Sequence, residues 1–221
     1  MKKTIDFLKK IKKNNNTEWM HANKDMYVGA KEEFAFLTQE LITRVKEWET
    51  SLPYLEPKNC VFRFNRDIRF SDNKNPYKEN FGAFMGYGGK KSSLPGYYIH
   101  VSPKEIFVAG GVWMPEAEEL KTIRREIMES GDEFLKILND KKFKKEFGGL
   151  DETYKLKRPP KGFSADNKFI ELLKYKSFTI SSPLTLEKAL KPGFGKLIDA
   201  KFKLMRPFNQ YLNEAMKVSR N

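Results

Sequence analysis

Apolar residues recur every three or four positions at the start of the chain, every second position through its middle, and every three or four again to the end. Ile5, Leu8 and Ile11 mark a short helix over residues 4–13, with lysines between them. Asn14-Asn15-Asn16 ends it, and Asn16 or Thr17 is placed to cap the next helix. A longer stripe follows. Tyr27, Ala30, Phe34, Leu37, Leu41, Val45 and Trp48 advance by threes and fours and share one face, with Lys, Glu and Gln opposite. Such a helix predicts a sheet beneath it. Residues 51–58, with Pro53 and Pro57, read as a connection.

Val61 to Asn65 alternates apolar and polar residues as a strand does. Ser71 to Pro76 is a polar loop, and Asn80 to Tyr87 reads as a second strand. Gly88 to Ser93 reads as a turn or a mobile loop; Gly96 to Val101 and Glu105 to Ala109 are the third and fourth strands. Spacings this short predict antiparallel hairpins, because a parallel crossover needs about a dozen residues.

Helical spacing returns after Gly110-Gly111. Pro115 suits a first helical position, with Glu116, Glu118 and Glu119 at the positive helix end and Leu120, Ile123 and Ile127 as the buried stripe. Further helices are predicted near 132–139, 140–147 and 166–175, a fifth strand at 177–181, and one or two terminal helices from Thr185. The order predicts an α+β fold: a mostly antiparallel sheet of about four to five strands, covered by N-terminal and C-terminal helices. Neither a repeat nor a linker divides the 221 residues, so one domain over 1–221 is expected.

Lys and Arg total 42 against 29 Asp and Glu, a formal charge of +13 that attracts polyanions and small acidic molecules. A lysine-rich proteome would produce the same excess. A lone Cys60 excludes a disulfide framework and a cysteine-based zinc site, and His21 and His100 leave little for a transition metal. Asp67, Asp72 and His100 have no diagnostic spacing for magnesium, so no metal is expected. There is no cofactor motif, no signal peptide and no apolar window long enough to span or anchor in a membrane; the default location is the cytoplasm. Nothing in the pattern sets an oligomeric state.

The densest chemistry lies between Phe62 and Lys78. Arg63, Arg66 and Arg69 fall within seven residues among aromatics, followed by Tyr77 and Lys78. Guanidinium groups bind phosphate or carboxylate through paired hydrogen bonds. On a regular strand Arg63 and Arg69 share a face, and Arg66 joins them only where the backbone bends. The same groups can instead pair with local carboxylates, Asp67 first among them. Tyr98 and His100 share a face of the third strand, and His beside Tyr can move protons near neutral pH. A satisfied, partly buried His is the commoner outcome. Gly110 and Gly111 offer backbone N–H groups for an anion before a helix, though any tight turn also wants them.

Several of these strings stand together in a known family. Arg66-Asp67-Ile68-Arg69-Phe70-Ser71, Pro76-Tyr77-Lys78, Pro95-Gly96-Tyr97-Tyr98, His100 and Gly110-Gly111-Val112-Trp113-Met114-Pro115 resemble DUF2461, as do Phe7-Leu8, Asn14 to Trp19, Lys157 to Gly162 and Phe208 to Leu212. The resemblance covers nearly the whole chain and implies one full-length domain. It carries over no catalytic residue and no activity. The loop here reads Ser71-Asp72-Asn73-Lys74-Asn75, a departure from the expected Ser-x-Asp-Lys-Thr or Ser.

Three readings follow. The first is a small anionic ligand, bearing phosphate or carboxylate, held by Arg63, Arg66, Arg69, Tyr77, Lys78, Tyr98 and His100, for binding or for catalysis. The second is a nucleic-acid partner on the basic surface, including Lys141–Lys145 and Lys155–Lys161. The third is a protein-interaction domain with no catalytic site.

Overall fold

The computed structural model of the chain describes residues 1–217. Its elements run α1 (Lys2–Lys13), α2 (Thr17–Ala22), α3 (Lys24–Trp48), α4 (Pro57–Cys60), β1 (Phe81–Gly86), β2 (Gly96–Val101), β3 (Ile106–Val112), α5 (Ala117–Leu138), α6 (Lys141–Phe147), α7 (Ile170–Leu173), β4 (Phe178–Leu184), α8 (Leu186–Leu190) and α9 (Phe194–Lys217). The strands form one antiparallel sheet in the order β1-β2-β3-β4, giving an α+β fold. By internal contacts the chain divides into two compact units, one of residues 1–91, 98–108 and 183–200, the other of 92–97, 109–182 and 201 onward.

In the first unit, local signals set the helices. Asn16 caps α2 by accepting from the Trp19 N–H at 2.8 Å. The α3 stripe buries Ala30, Phe34, Leu37, Leu41 and Val45, while Tyr27 and Trp48 at its ends stay half-buried. Phe34 stacks on Phe81 of β1 at 5.4 Å between ring centres, so the helix does lie on the sheet. Phe64 packs against Phe7 at 5.4 Å and Phe81 at 5.0 Å. Full burial of a side chain this size stabilises by about 1.5–3 kcal/mol, so this aromatic cluster anchors both α1 and the Phe62–Asn65 segment.

That segment corrects one expectation. Val61–Asn65 is extended but is not a strand of the sheet. It makes two isolated bridges, Val61 with Ala83 and Asn65 with Tyr77. The chain first runs beside β1, with Phe62 N–H donating to Gly82 O at 3.0 Å. It then swings to the limb that precedes β1, where Lys78 N–H donates to Phe64 O and Arg66 N–H to Pro76 O, each at 2.9 Å. Alternation survives without the ladder: Phe64 is buried and Arg63 and Asn65 are exposed.

The second unit has its own core. Phe134 of α5 stacks on Phe208 and Tyr211 of α9 at 5.7 and 4.5 Å. Helix α5 kinks at Ser130 (φ −128°, ψ 28°), which separates the expected helix near 132–139 from the one before it. Pro115 lies just before the cap residue Glu116 instead of in the first turn. Only 170–173 of the expected 166–175 helix is helical, because 164–169 is held in turns. The expected strand at 177–181 is β4.

Gly110 and Gly111 also differ from expectation. They are strand residues of β3 and do not form the turn into α5. A Cβ on Gly111 (φ +102°) would come within 2.0 Å of Phe178 O, and one on Gly110 within 2.9 Å of Met205 Sδ. Close packing requires them.

Candidate functional site

The two hydrogen bonds that fold the Phe64–Arg66 limb against Pro76–Lys78 close residues 67–75 into a loop. Within it Asp67 organises the arginines. Arg69 Nε and an Nη donate to the two Asp67 carboxylate oxygens at 3.0 and 2.7 Å, and an Nη of Arg63 lies 3.9 Å from the same carboxylate. Hydrogen bonds from Arg69 hold the Asp67 carboxyl below its usual range, with Arg63 adding to the effect. The pairing is exposed: side-chain exposure is 68 % for Arg63, 75 % for Arg69 and 41 % for Asp67.

Arg66 stands apart. Its guanidinium donates to Ser71 Oγ at 3.2 Å, and among the described residues no carboxylate lies within 4 Å of it. Arg66 and Lys78 share an open depression of about 510 Å³ with Asp67, Asn73, Glu79 and Asn80. Lys78 is half-buried, and burial first, then the nearby Arg63 charge, lower its pKa. Its ammonium lies 5.7 Å from the centre of the Phe62 ring. Asp67 is already claimed by two guanidinium groups. Counting Arg63 and Arg69 with Arg66 and Lys78 against Asp67 and Glu79, the set carries two positive charges in excess.

On β2, Tyr98 and His100 are half-buried between the buried Tyr97, Ile99 and Val101. Tyr98 Oη meets His100 Nδ1 at 3.1 Å, and the imidazole stacks on Phe107 at 4.7 Å with an interplanar angle of 10°. Burial lowers the His100 pKa, opposed by Glu105, and pushes Tyr98 up to about 12. The Tyr98 ring lies across Gly82, where a Cβ would come within 2.6 Å of the hydroxyl.

The chain matches the family described as Conserved hypothetical protein (DUF2461) over residues 3–211 of 221. It belongs to the DUF2461 family. Comparison with curated proteins and with solved structures gave no match.

The sequence places seven residues of this DUF2461 chain in one site, and the structure sorts them into three places. Arg66 and Lys78 line the depression, with Arg63 and Arg69 beside them on Asp67. Tyr98 and His100 stand on the sheet, linked toward Lys78 through Phe62, whose ring is 6.2 Å from Tyr98. Tyr77 is buried: its ring stacks on Phe64 at 6.0 Å, and its backbone N–H and C=O are both bonded by the Asn15 side chain. It holds the limb that carries Lys78.

Gly110 and Gly111 have no helix end to serve. The α5 N-terminus is closed by its own capping box, with Glu116 N–H donating to the Glu119 carboxylate at 3.1 Å. In the basic stretch Lys155 is clasped by Glu152 at 2.9 Å and Glu171 at 3.3 Å. Among the described residues no three His, Cys, Asp or Glu side chains gather as a metal site, and no helix is long and apolar enough to cross a membrane.

Reading by residue type passes over Phe62, Asn73, Asn80 and Phe107. For Phe107 a signal existed, since it alternates with the buried Ile106 and Val108 in extended chain, and Phe62 shares its face of the extended segment with the buried Phe64. The asparagines carry none, because amides at a loop are common as turn formers.

Proposed function

We propose that this DUF2461 protein binds a small anionic ligand, bearing phosphate or carboxylate, between Arg66 and Lys78. One observation carries the reading. Two cations line the depression without a carboxylate partner within 4 Å among the described residues, while Asp67 is engaged by the arginines on either side. Arg66 supplies a planar fork for paired hydrogen bonds, and its bond to Ser71 limits its motion. Lys78 supplies a point charge with part of its hydration already removed, which strengthens attraction to an anion. Arg63 and Arg69 add long-range field. Asn73 and Asn80 add neutral donors.

Titration calorimetry with inorganic phosphate and with acetate at low salt tests the reading. Heat is expected with at least one of them, lost in Arg66→Ala and in Lys78→Ala and retained in Lys142→Ala on α6. Asp67→Asn frees two guanidinium groups and tightens binding. Affinity declines as pH rises, from a lower pH than an ordinary lysine would set, because the Lys78 pKa is lowered. Absence of heat with every anion, or binding that ignores both substitutions, overturns it. Tighter binding to a DNA oligonucleotide, insensitive to Arg66→Ala and falling steeply with salt, supports the basic surface in its place.

A further inference from the structure

We propose that the anion belongs to a ligand that also bears a planar aromatic ring, as a nucleoside monophosphate does, and that this ring lies against Phe62 beside the half-buried face of the sheet. The inference rests on the anion reading above and names the ligand class.

Lys78 belongs to two surroundings at once. The residue lines the anion depression, and its ammonium stands 5.7 Å from the Phe62 ring centre. An anion at that ammonium therefore brings whatever it is attached to within reach of Phe62. From Phe62 the aromatic surface continues without a break. Phe62 meets Tyr98 edge-on at 6.2 Å and 67°, Tyr98 lies 6.0 Å from Phe107, and Phe107 stacks on His100 at 4.7 Å. These rings are all half-buried, while the alternate residues Ile99, Val101, Ile106 and Val108 are fully buried in the core. Gly82 of β1 makes room for the Tyr98 ring, whose hydroxyl would lie 2.6 Å from a Cβ there.

Such a surface suits a ligand with a flat apolar body, because rings prefer edge-on or offset contacts with other rings. Polar recognition is also available. Tyr98 Oη engages Nδ1 of His100, and among the described residues Nε2 has no hydrogen-bond partner. Nε2 is left to donate to, or accept from, the polar edge of a heterocycle, according to the tautomer. A bare phosphate or an aliphatic carboxylate leaves both features unused.

Calorimetry with inorganic phosphate, ribose 5-phosphate and adenosine 5′-monophosphate (AMP) separates the two levels. AMP is expected to bind about tenfold or more tightly than ribose 5-phosphate, a margin typical of one aromatic stacking contact. Phe62→Ala should remove that margin and leave ribose 5-phosphate affinity unchanged, while Phe62→Tyr keeps it. Ring resonances of Phe62 and Tyr98 should shift with AMP and not with ribose 5-phosphate. If Phe62→Ala does not fold, Phe62→Leu takes its place. Equal affinity for AMP and ribose 5-phosphate, or a margin that survives loss of the Phe62 ring, overturns the aromatic inference while phosphate binding leaves the anion reading intact. Failure of all three ligands removes both.

Discussion

The hydroxyl of Tyr98 meets Nδ1 of His100 at 3.1 Å, two residues along the same face of β2. Burial disfavours the imidazolium and lowers the His100 pKa, with Glu105 pulling the other way. The unfolded chain takes up its proton near the ordinary value of about 6.5. Stability is therefore full above that pH and falls as pH drops through the lower folded-state value. Urea unfolding at pH 7.5 and at pH 5 should show the loss, and His100→Gln should narrow the difference. A histidine titration by NMR midway above 6.5 contradicts it.

Gly111→Ala should be far more damaging than Gly148→Ala, though both glycines have positive φ (+102° and +74°). At Gly148 nothing lies within 4 Å of the added Cβ, so only the backbone cost of a positive φ, about 1–3 kcal/mol, applies. At Gly111 the methyl group would sit 2.0 Å from Phe178 O and 2.8 Å from the Phe208 ring. The β3–β4 pairing cannot absorb that overlap. Thermal melts of the two variants check the order.

Asn209 is buried in α9, and its side-chain N–H donates to Gly96 O at 3.0 Å. Asn209→Ala leaves that carbonyl without this donor and should cost about 1–3 kcal/mol. Asn209→Asp should cost more, since it sets a carboxylate against a carbonyl oxygen in a buried place. Denaturant unfolding of both variants measures the difference; equal stability of Asn209→Asp and wild type would contradict it.

Cys60 should resist thiol reagents in the folded protein. It is fully buried, and burial pushes its thiol up to about 11. At pH 8 only roughly one molecule in a thousand would carry the thiolate, the reactive form. Labelling with a chromogenic disulfide should follow global unfolding, and rapid labelling without denaturant would show the site to be open.

Much of the fold is legible in single residues. Asn16 names the start of α2 because a side-chain oxygen can satisfy a free helix N–H without any tertiary contact. The Ala30-to-Val45 stripe names the buried face of α3 because helix geometry alone brings those side chains together. Alternation in Gly96–Val101 separates Tyr98 and His100 from Tyr97, Ile99 and Val101 for the same reason. Where the reading departs, non-local contacts decide. Gly110 and Gly111 look like a turn, and only the approach of Phe178 and Met205 makes them strand residues. Tyr77 looks like a ligand residue, and only the rings of Phe64 and neighbours take it into the core.

The chemical content of the Arg63–Lys78 stretch was fixed by composition: several cations, two acids (Asp67 and Asp72), aromatics between them. Its arrangement was not. Side chains far apart along the loop carry no information about which of them will meet, because that depends on where the backbone turns. The turn here comes from Phe64 seeking the core and from two backbone hydrogen bonds to Pro76 and Lys78. Local periodicity determined the helices and the strand faces, and ordered motif strings carried the family resemblance. The pairing of Asp67 with Arg63 and Arg69 is local, four and two residues apart, and was open to the sequence; tertiary packing alone brought Arg66 and Lys78 to one depression, since their meeting depends on distance in space.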